Sequence, residues 1–149
     1  MAEGRTLVPG HATGVSLVLD EPLSLWGGID SSTGELIDTH HPQVGETIAG
    51  RILLMPFGRG SSSSSYILAE AVRAGVAPAA VVLKEPDAIL ALGAIVAREL
   101  YGVRTPIVIL PAAEYADIRD GTRIRVDARG ERPTVRSVDH SGRDPISPR

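Results

Sequence analysis

The chain has 149 residues, a length that favours one domain with its own buried core. Apolar residues make up 43% and charged residues 22%, and the net charge of −3 is spread without a basic stripe, so neither a nucleic-acid surface nor an anionic-membrane anchor is expected. There is no cysteine, which excludes disulfides, thiolate zinc sites and cysteine-ligated clusters within this chain.

The opening MAEGRTLVPG has no charged-then-apolar leader pattern, and no apolar run reaches the roughly 20 residues of a membrane helix. The expected location is the cytoplasm. Residues 1–60 read as β-rich: VSLVLD (15–20) is a strand, SSTGE (31–35) has turn chemistry, and RILLMPF (51–57) is an apolar strand running into a glycine-bearing corner. From Tyr66 to Ala74 the period changes, with Ile67, Leu68, Ala71 and Val72 on one helical face and Gly75 at the C-terminal cap. AAVVL (79–83) is a continuous apolar run, the mark of a strand buried on both faces. Asp87 is placed as the N-cap of a helix over Ala88–Tyr101 that Gly102 closes, and PIVIL (106–110) is another buried strand.

Strand, helix, strand, helix, strand with short links predicts two βαβ units around a central parallel sheet. Asp120-Gly121 turns the chain into TRIRVD (122–127), a half-exposed strand, and DHSGRDPISPR (139–149) reads as a polar tail beyond a domain over 1–138.

The segment Phe57-Gly58-Arg59-Gly60-Ser61-Ser62-Ser63-Ser64-Ser65 lies between a buried strand and an amphipathic helix. That context opposes a flexible Gly/Ser linker. A strand–glycine corner–helix junction aims free backbone N–H groups and the helix's positive end at one spot. Gly58 and Gly60 admit a ligand close to the backbone, Arg59 adds a positive charge, and the hydroxyls of Ser61 and Ser62 add donors. An N-cap role for Ser61 or Ser62 accounts for the residues equally well.

The stretches LDEPLSLWGGID (19–30), DTHHPQVGETIAGRILLMPFGRGSSSSS (38–65) and APAAVVLKEPDAILALGAIVARELYG (77–102) resemble the small subunit, or swivel domain, of the aconitase X family. The resemblance runs from about Gly14 to Leu110. It implies an α/β fold, a three-layer β/β/α swivelling domain, docked on a larger cysteine-containing subunit that binds iron or an iron–sulfur cluster, with no cofactor held by this chain. Members of the family are hydro-lyases acting on small carboxylate substrates: archaeal ones dehydrate mevalonate 5-phosphate, bacterial ones cis-3-hydroxy-L-proline. The alanine- and arginine-rich composition favours the second. In aconitases the first serine after the Gly-x-Gly corner is the catalytic base, a position held here by Ser61, with Gly58, Arg59, Gly60 and Ser62 around the substrate. A one-residue shift in register transfers the base role to Ser62.

His40 and His41 form a secondary candidate site, as ligands or proton carriers or as a hydrogen-bonded loop ended by Pro42, since adjacent side chains diverge. Asp20 and Glu21 are read as a strand end more than as paired carboxylates. Trp26 beside Gly27-Gly28 is assigned to packing or to a subunit contact. Two readings from other classes stay open: a phosphate-carrying swivel module using His40 or His41, and an anion-binding module without catalysis.

Overall fold

The computed structural model describes residues 4–58 and 63–138. The expected tail, 139–149, lies outside the described residues. Seven strands form a single curled sheet in the order β1-β5-β4-β3-β2-β6-β7. They are β1 (Arg5–Val8), β2 (Gly10–Val18), β3 (Ile52–Leu54), β4 (Ala80–Leu83), β5 (Ile107–Ile109), β6 (Arg123–Ala128) and β7 (Thr134–Ser137). Between them lie a broken turn α1 (Leu25–Gly28), the helices α2 (Ser63–Arg73) and α3 (Ala88–Tyr101), and a short α4 (Ala112–Ala116).

β2, β3, β4 and β5 pair in parallel, and α2 and α3 make the two expected βαβ crossovers. Alternation along the strands splits the core in two. Leu53, Met55, Val81, Leu83 and Ile107 face Leu68 of α2 and Leu90, Ala91 and Ala94 of α3. Ile52, Leu54, Ala80, Val82 and Val108 face Ile124, Val126 and Ala128 of β6 and Tyr115 of α4. The parallel strands are thus buried on both faces, which is why they read as unbroken apolar runs. The layers are β6–β7, the parallel sheet, and the helices: the β/β/α order implied by the resemblance.

The curl arises in β2, which changes partner part way along. Residues 10–15 pair antiparallel with β6, and Ser16–Val18 pair parallel with β3. At the change the buried Ser16 hydroxyl donates to the Arg119 carbonyl at 2.5 Å and accepts from the Thr122 N–H at 3.0 Å, tying the incoming β6 to the switch point. β2 begins at Gly10, earlier than expected, because its mixed polar start is completed by β6.

α3 has the expected bounds. The Asp87 carboxylate accepts from Ile89 and Leu90 N–H, and Gly102 closes the helix at φ 69°. α2 starts at Ser63, earlier than its apolar face announces. Residues 19–51, expected to be β-rich, hold α1 and isolated bridges in place of strands. The edge strands β1 and β7 were not anticipated.

Gly93 sets the approach of the two helices. A Cβ there would lie 2.7 Å from the Ser65 carbonyl oxygen and 3.0 Å from its Cα, both rigid backbone atoms at the start of α2. Gly93→Ala is therefore expected to destabilise the protein by about 1–3 kcal/mol in urea unfolding, because overpacking outweighs the helix propensity gained. An unchanged or raised midpoint would show that the helices have room to part.

Candidate active-site corner

Because β2 to β5 run the same way, their carboxyl ends share one edge of the sheet, where open α/β sheets place their ligands. That edge collects Leu19–Glu21 after β2, Met55–Gly58 after β3, Lys84–Asp87 after β4, and Leu110–Pro111 after β5. The corners after β3 and β4 are tied together, since Lys84 and Glu85 N–H groups donate to the Pro56 carbonyl at 2.9 and 3.1 Å. Pro56, Phe57, Lys84 and Glu85 line a shallow pocket of about 260 Å³ there.

Lys84 is the only lysine of the chain, and its Nζ lies 5.2 Å from the centre of the Tyr115 ring. The Tyr115 hydroxyl is buried without a hydrogen-bond partner, and burial pushes its pKa up to about 12, so it stays protonated. A larger cleft of about 380 Å³ between α4, β6 and β7 mixes acids with arginines and contains none of the expected site residues.

Of those residues, Gly58 is described. It makes a parallel bridge with Leu23 and packs against Asp87 at the head of α3. Arg59, Gly60, Ser61 and Ser62 lie outside the described residues. α2 follows directly at Ser63. Its Ser64 hydroxyl is buried, with no hydrogen-bond partner. Sequence reasoning placed Asp87 as a helix cap alone and passed over Lys84. Its position directly after an apolar strand, at the end where ligands bind, was the available signal.

The two histidines diverge. His41 is buried, and both ring nitrogens are engaged: Nε2 is 3.0 Å from the Glu21 carbonyl oxygen, to which it donates, while Nδ1 accepts from Gln43 N–H at 3.1 Å. Gln43 continues the chain of contacts, accepting from Asp20 N–H and donating to the Val18 carbonyl. Together they pin the 38–43 loop to the end of β2. His40 is exposed, with Nδ1 3.8 Å from Asp38 Oδ1. Trp26 is exposed too, so it is not part of the core.

The sequence profile described as the aconitase X swivel domain matches residues 1–135. Over 106 residues, 71% of the chain, it is 53% identical to a cis-3-hydroxy-L-proline dehydratase of Pseudomonas aeruginosa, of which the match covers 18%. It is 35% identical over 136 residues, 91% of the chain, to a phosphomevalonate dehydratase small subunit of Pyrococcus furiosus, of which 94% is covered. The crystal structure of Thermococcus kodakaraensis aconitase X in its holo-form superposes with a TM-score of 0.77 at 33% identity, covering 89% of this chain and 95% of that one. The chain spans about a fifth to a quarter of the length of the first curated relatives it matches.

The environments of the histidines predict opposite outcomes on substitution. His41→Ala removes a buried side chain together with its hydrogen bonds to the Glu21 carbonyl and the Gln43 N–H and is expected to cost about 1–3 kcal/mol. His40→Ala is expected to stay within about 0.5 kcal/mol of the parent. Thermal unfolding of the two variants checks this, and equal midpoints would remove the pinning role of His41.

Proposed function

The chain belongs to the aconitase X swivel-domain family, and from that premise we propose that it is the substrate-gripping small part of a two-part hydro-lyase that dehydrates cis-3-hydroxy-L-proline. The observation that carries this reading is the 53% identity to the P. aeruginosa hydroxyproline enzyme, against 35% to the P. furiosus phosphomevalonate small subunit. Mevalonate 5-phosphate is the second reading, supported by the near-complete coverage of the P. furiosus small subunit.

Charge at the carboxyl edge bears on the choice. Asp20, Glu21, Asp38 and Glu85 lie around it among the described residues, against Lys84, while the Asp87 carboxylate is spent on the α3 cap and on Gly58. An acidic rim suits a zwitterion, whose ring nitrogen is cationic, and opposes a substrate carrying both a phosphate and a carboxylate.

Dehydration removes the proton on the carbon beside the carboxylate and expels hydroxide from the neighbouring carbon. In this proposal Gly58, Arg59, Gly60 and Ser62 hold the carboxylate with backbone N–H groups, the guanidinium and the positive end of α2. Ser61 takes the proton. An alkoxide is costly in water, and donors at a helix N-terminus lower that cost. The chain has no cysteine, and among the described residues no group of three or more His, Cys, Asp or Glu is placed to hold a metal, so the residues here do not fit a cluster. Iron or an iron–sulfur cluster is assigned to the larger, cysteine-containing partner, where it would supply Lewis acidity. A cytoplasmic location is part of this proposal. Among the described residues no helix is long and apolar enough to cross a membrane.

Support for a partner comes from the helical layer. Tyr66 of α2 and Leu92, Val96, Leu100 and Tyr101 of α3 line one groove, with Tyr66 68% and Leu100 66% exposed. The groove starts in the first turn of α2. Contiguous apolar surface of this kind marks an interface. Leu100→Glu is expected to weaken association with the large subunit in a pull-down or titration while leaving the melting temperature unchanged. Full-strength binding would place the interface elsewhere.

The catalytic reading is tested by anaerobic assay of both substrates with and without the large subunit. Turnover is expected only from the complex and with cis-3-hydroxy-L-proline; turnover by the isolated chain removes the two-part reading. In the complex, Ser61→Ala is expected to lower the rate by about 10²–10⁴ while assembly and melting temperature hold. Ser64→Ala, which deletes a buried hydroxyl lacking a partner, serves as the inert control. A Ser61→Ala complex that melts earlier but turns over normally would make Ser61 a helix cap.

A further inference from the structure

Asp87 belongs to the link between β4 and α3, outside the serine corner. Its Oδ1 accepts from the N–H of Ile89 at 2.9 Å and of Leu90 at 3.1 Å, which completes the cap of α3 with one oxygen. The other oxygen occupies the space where a side chain on Gly58 would begin. A Cβ built on Gly58 falls well inside van der Waals contact of Asp87 Oδ2 and 3.1 Å from the carboxyl carbon, with Leu90 Cδ1 at 3.4 Å behind it. Gly58 has no positive φ, so its backbone conformation does not demand glycine. Space demands it, and Asp87 fills that space. On another side Gly58 is bridged to Leu23.

We propose that Asp87 is a positioning residue for the catalytic corner, joining two βα corners through one carboxylate. One oxygen fixes the head of α3; the other buttresses Gly58, the last described residue before 59–62. Whatever holds the Gly58 peptide holds the take-off of the segment that carries Ser61. A carboxylate fixed by two backbone donors cannot swing away, so the buttress is as rigid as the α3 cap itself. The role goes beyond the proposed dehydratase reading and rests on it only for its kinetic consequence.

The capping and buttressing roles separate by choice of side chain. Serine at position 87 is a good N-cap but lacks the second oxygen, whereas asparagine keeps the shape of both. In the assembled enzyme Asp87→Ser is expected to lower kcat by about 10- to 100-fold, the scale of a small misplacement of reacting groups, with a smaller change in KM. Asp87→Asn is expected to restore the rate, and the melting temperature of Asp87→Ser to stay near that of the parent. Asp87→Ala should lose both stability and rate.

Two readouts on the 149-residue chain do not depend on turnover. Hydrogen exchange across residues 57–68 should quicken in Asp87→Ser and not in Asp87→Asn, while the first turn of α3 stays protected in both. Gly58→Ala should lower the melting temperature sharply in the parent and much less in the Asp87→Ser background, where the methyl has room. Absence of turnover in the parent complex would sink the dehydratase reading and leave these two readouts to decide the buttress. An active parent complex with Asp87→Ser equally fast would overturn the positioning role. Unchanged exchange, or a Gly58→Ala effect independent of residue 87, would overturn the contact itself.

Discussion

A strand buried on both faces leaves its polar chemistry only its two ends. β3, β4 and β5 are in that position, with α2 and α3 against one side and β6 and α4 against the other. Their parallel pairing then puts every carboxyl end at the same edge. Each strand delivers a connecting segment there. The Met55–Gly58 end of β3, the Lys84–Asp87 link and the His41-pinned loop therefore converge because of how the core is packed. Gly93, far from that edge in chemistry, contributes by setting how closely α2 lies on α3.

The parts of the fold that could be read from the residues are those whose signal is local. α3 carries its own start in Asp87, its own stop in Gly102 and an apolar face between them. The run at 80–83 needs no partner to look like a buried strand. β1 and β7 lacked such a signal: RTLV and TVRS are half-exposed and become strands because β5 and β6 offer them a ladder. Residues 19–51 were misread for the opposite reason. Their apolar residues reach the core without forming strands, as Leu23, Ile29, Leu36 and Ile48 do, and side chains such as Gln43 hold the backbone in place of a ladder.

The candidate site divides the same way. A glycine corner between strand and helix is visible in one stretch of sequence, and the family resemblance rests on stretches of that kind. The contact between Gly58 and Asp87 is not visible there, because each residue has a sufficient local explanation: a flexible corner in one case, a helix cap in the other. Only their proximity shows that the glycine is required by the carboxylate. His41 gives the converse lesson. A histidine beside another histidine suggests chemistry, yet its two nitrogens are spent on Glu21 and Gln43, which leaves His40 as the accessible ring.

The relatives show the same domain in two covalent settings, as a small share of long dehydratases and as nearly the whole of short subunits. The physical demands of the two differ. A tether makes docking intramolecular, at an effective concentration near millimolar for a short linker, so a modest interface suffices. A separate subunit must hold its partner with surface alone, about 800 Å² on each side for a stable complex. Under the proposed two-part reading, the exposed groove of Tyr66, Leu92, Val96 and Leu100 contributes to the second demand, and it begins beside the first turn of α2. Under that reading a partner seated on the groove also fixes the direction of α2, so the helix packing set by Gly93 links docking to the sheet edge that carries Gly58 and Asp87.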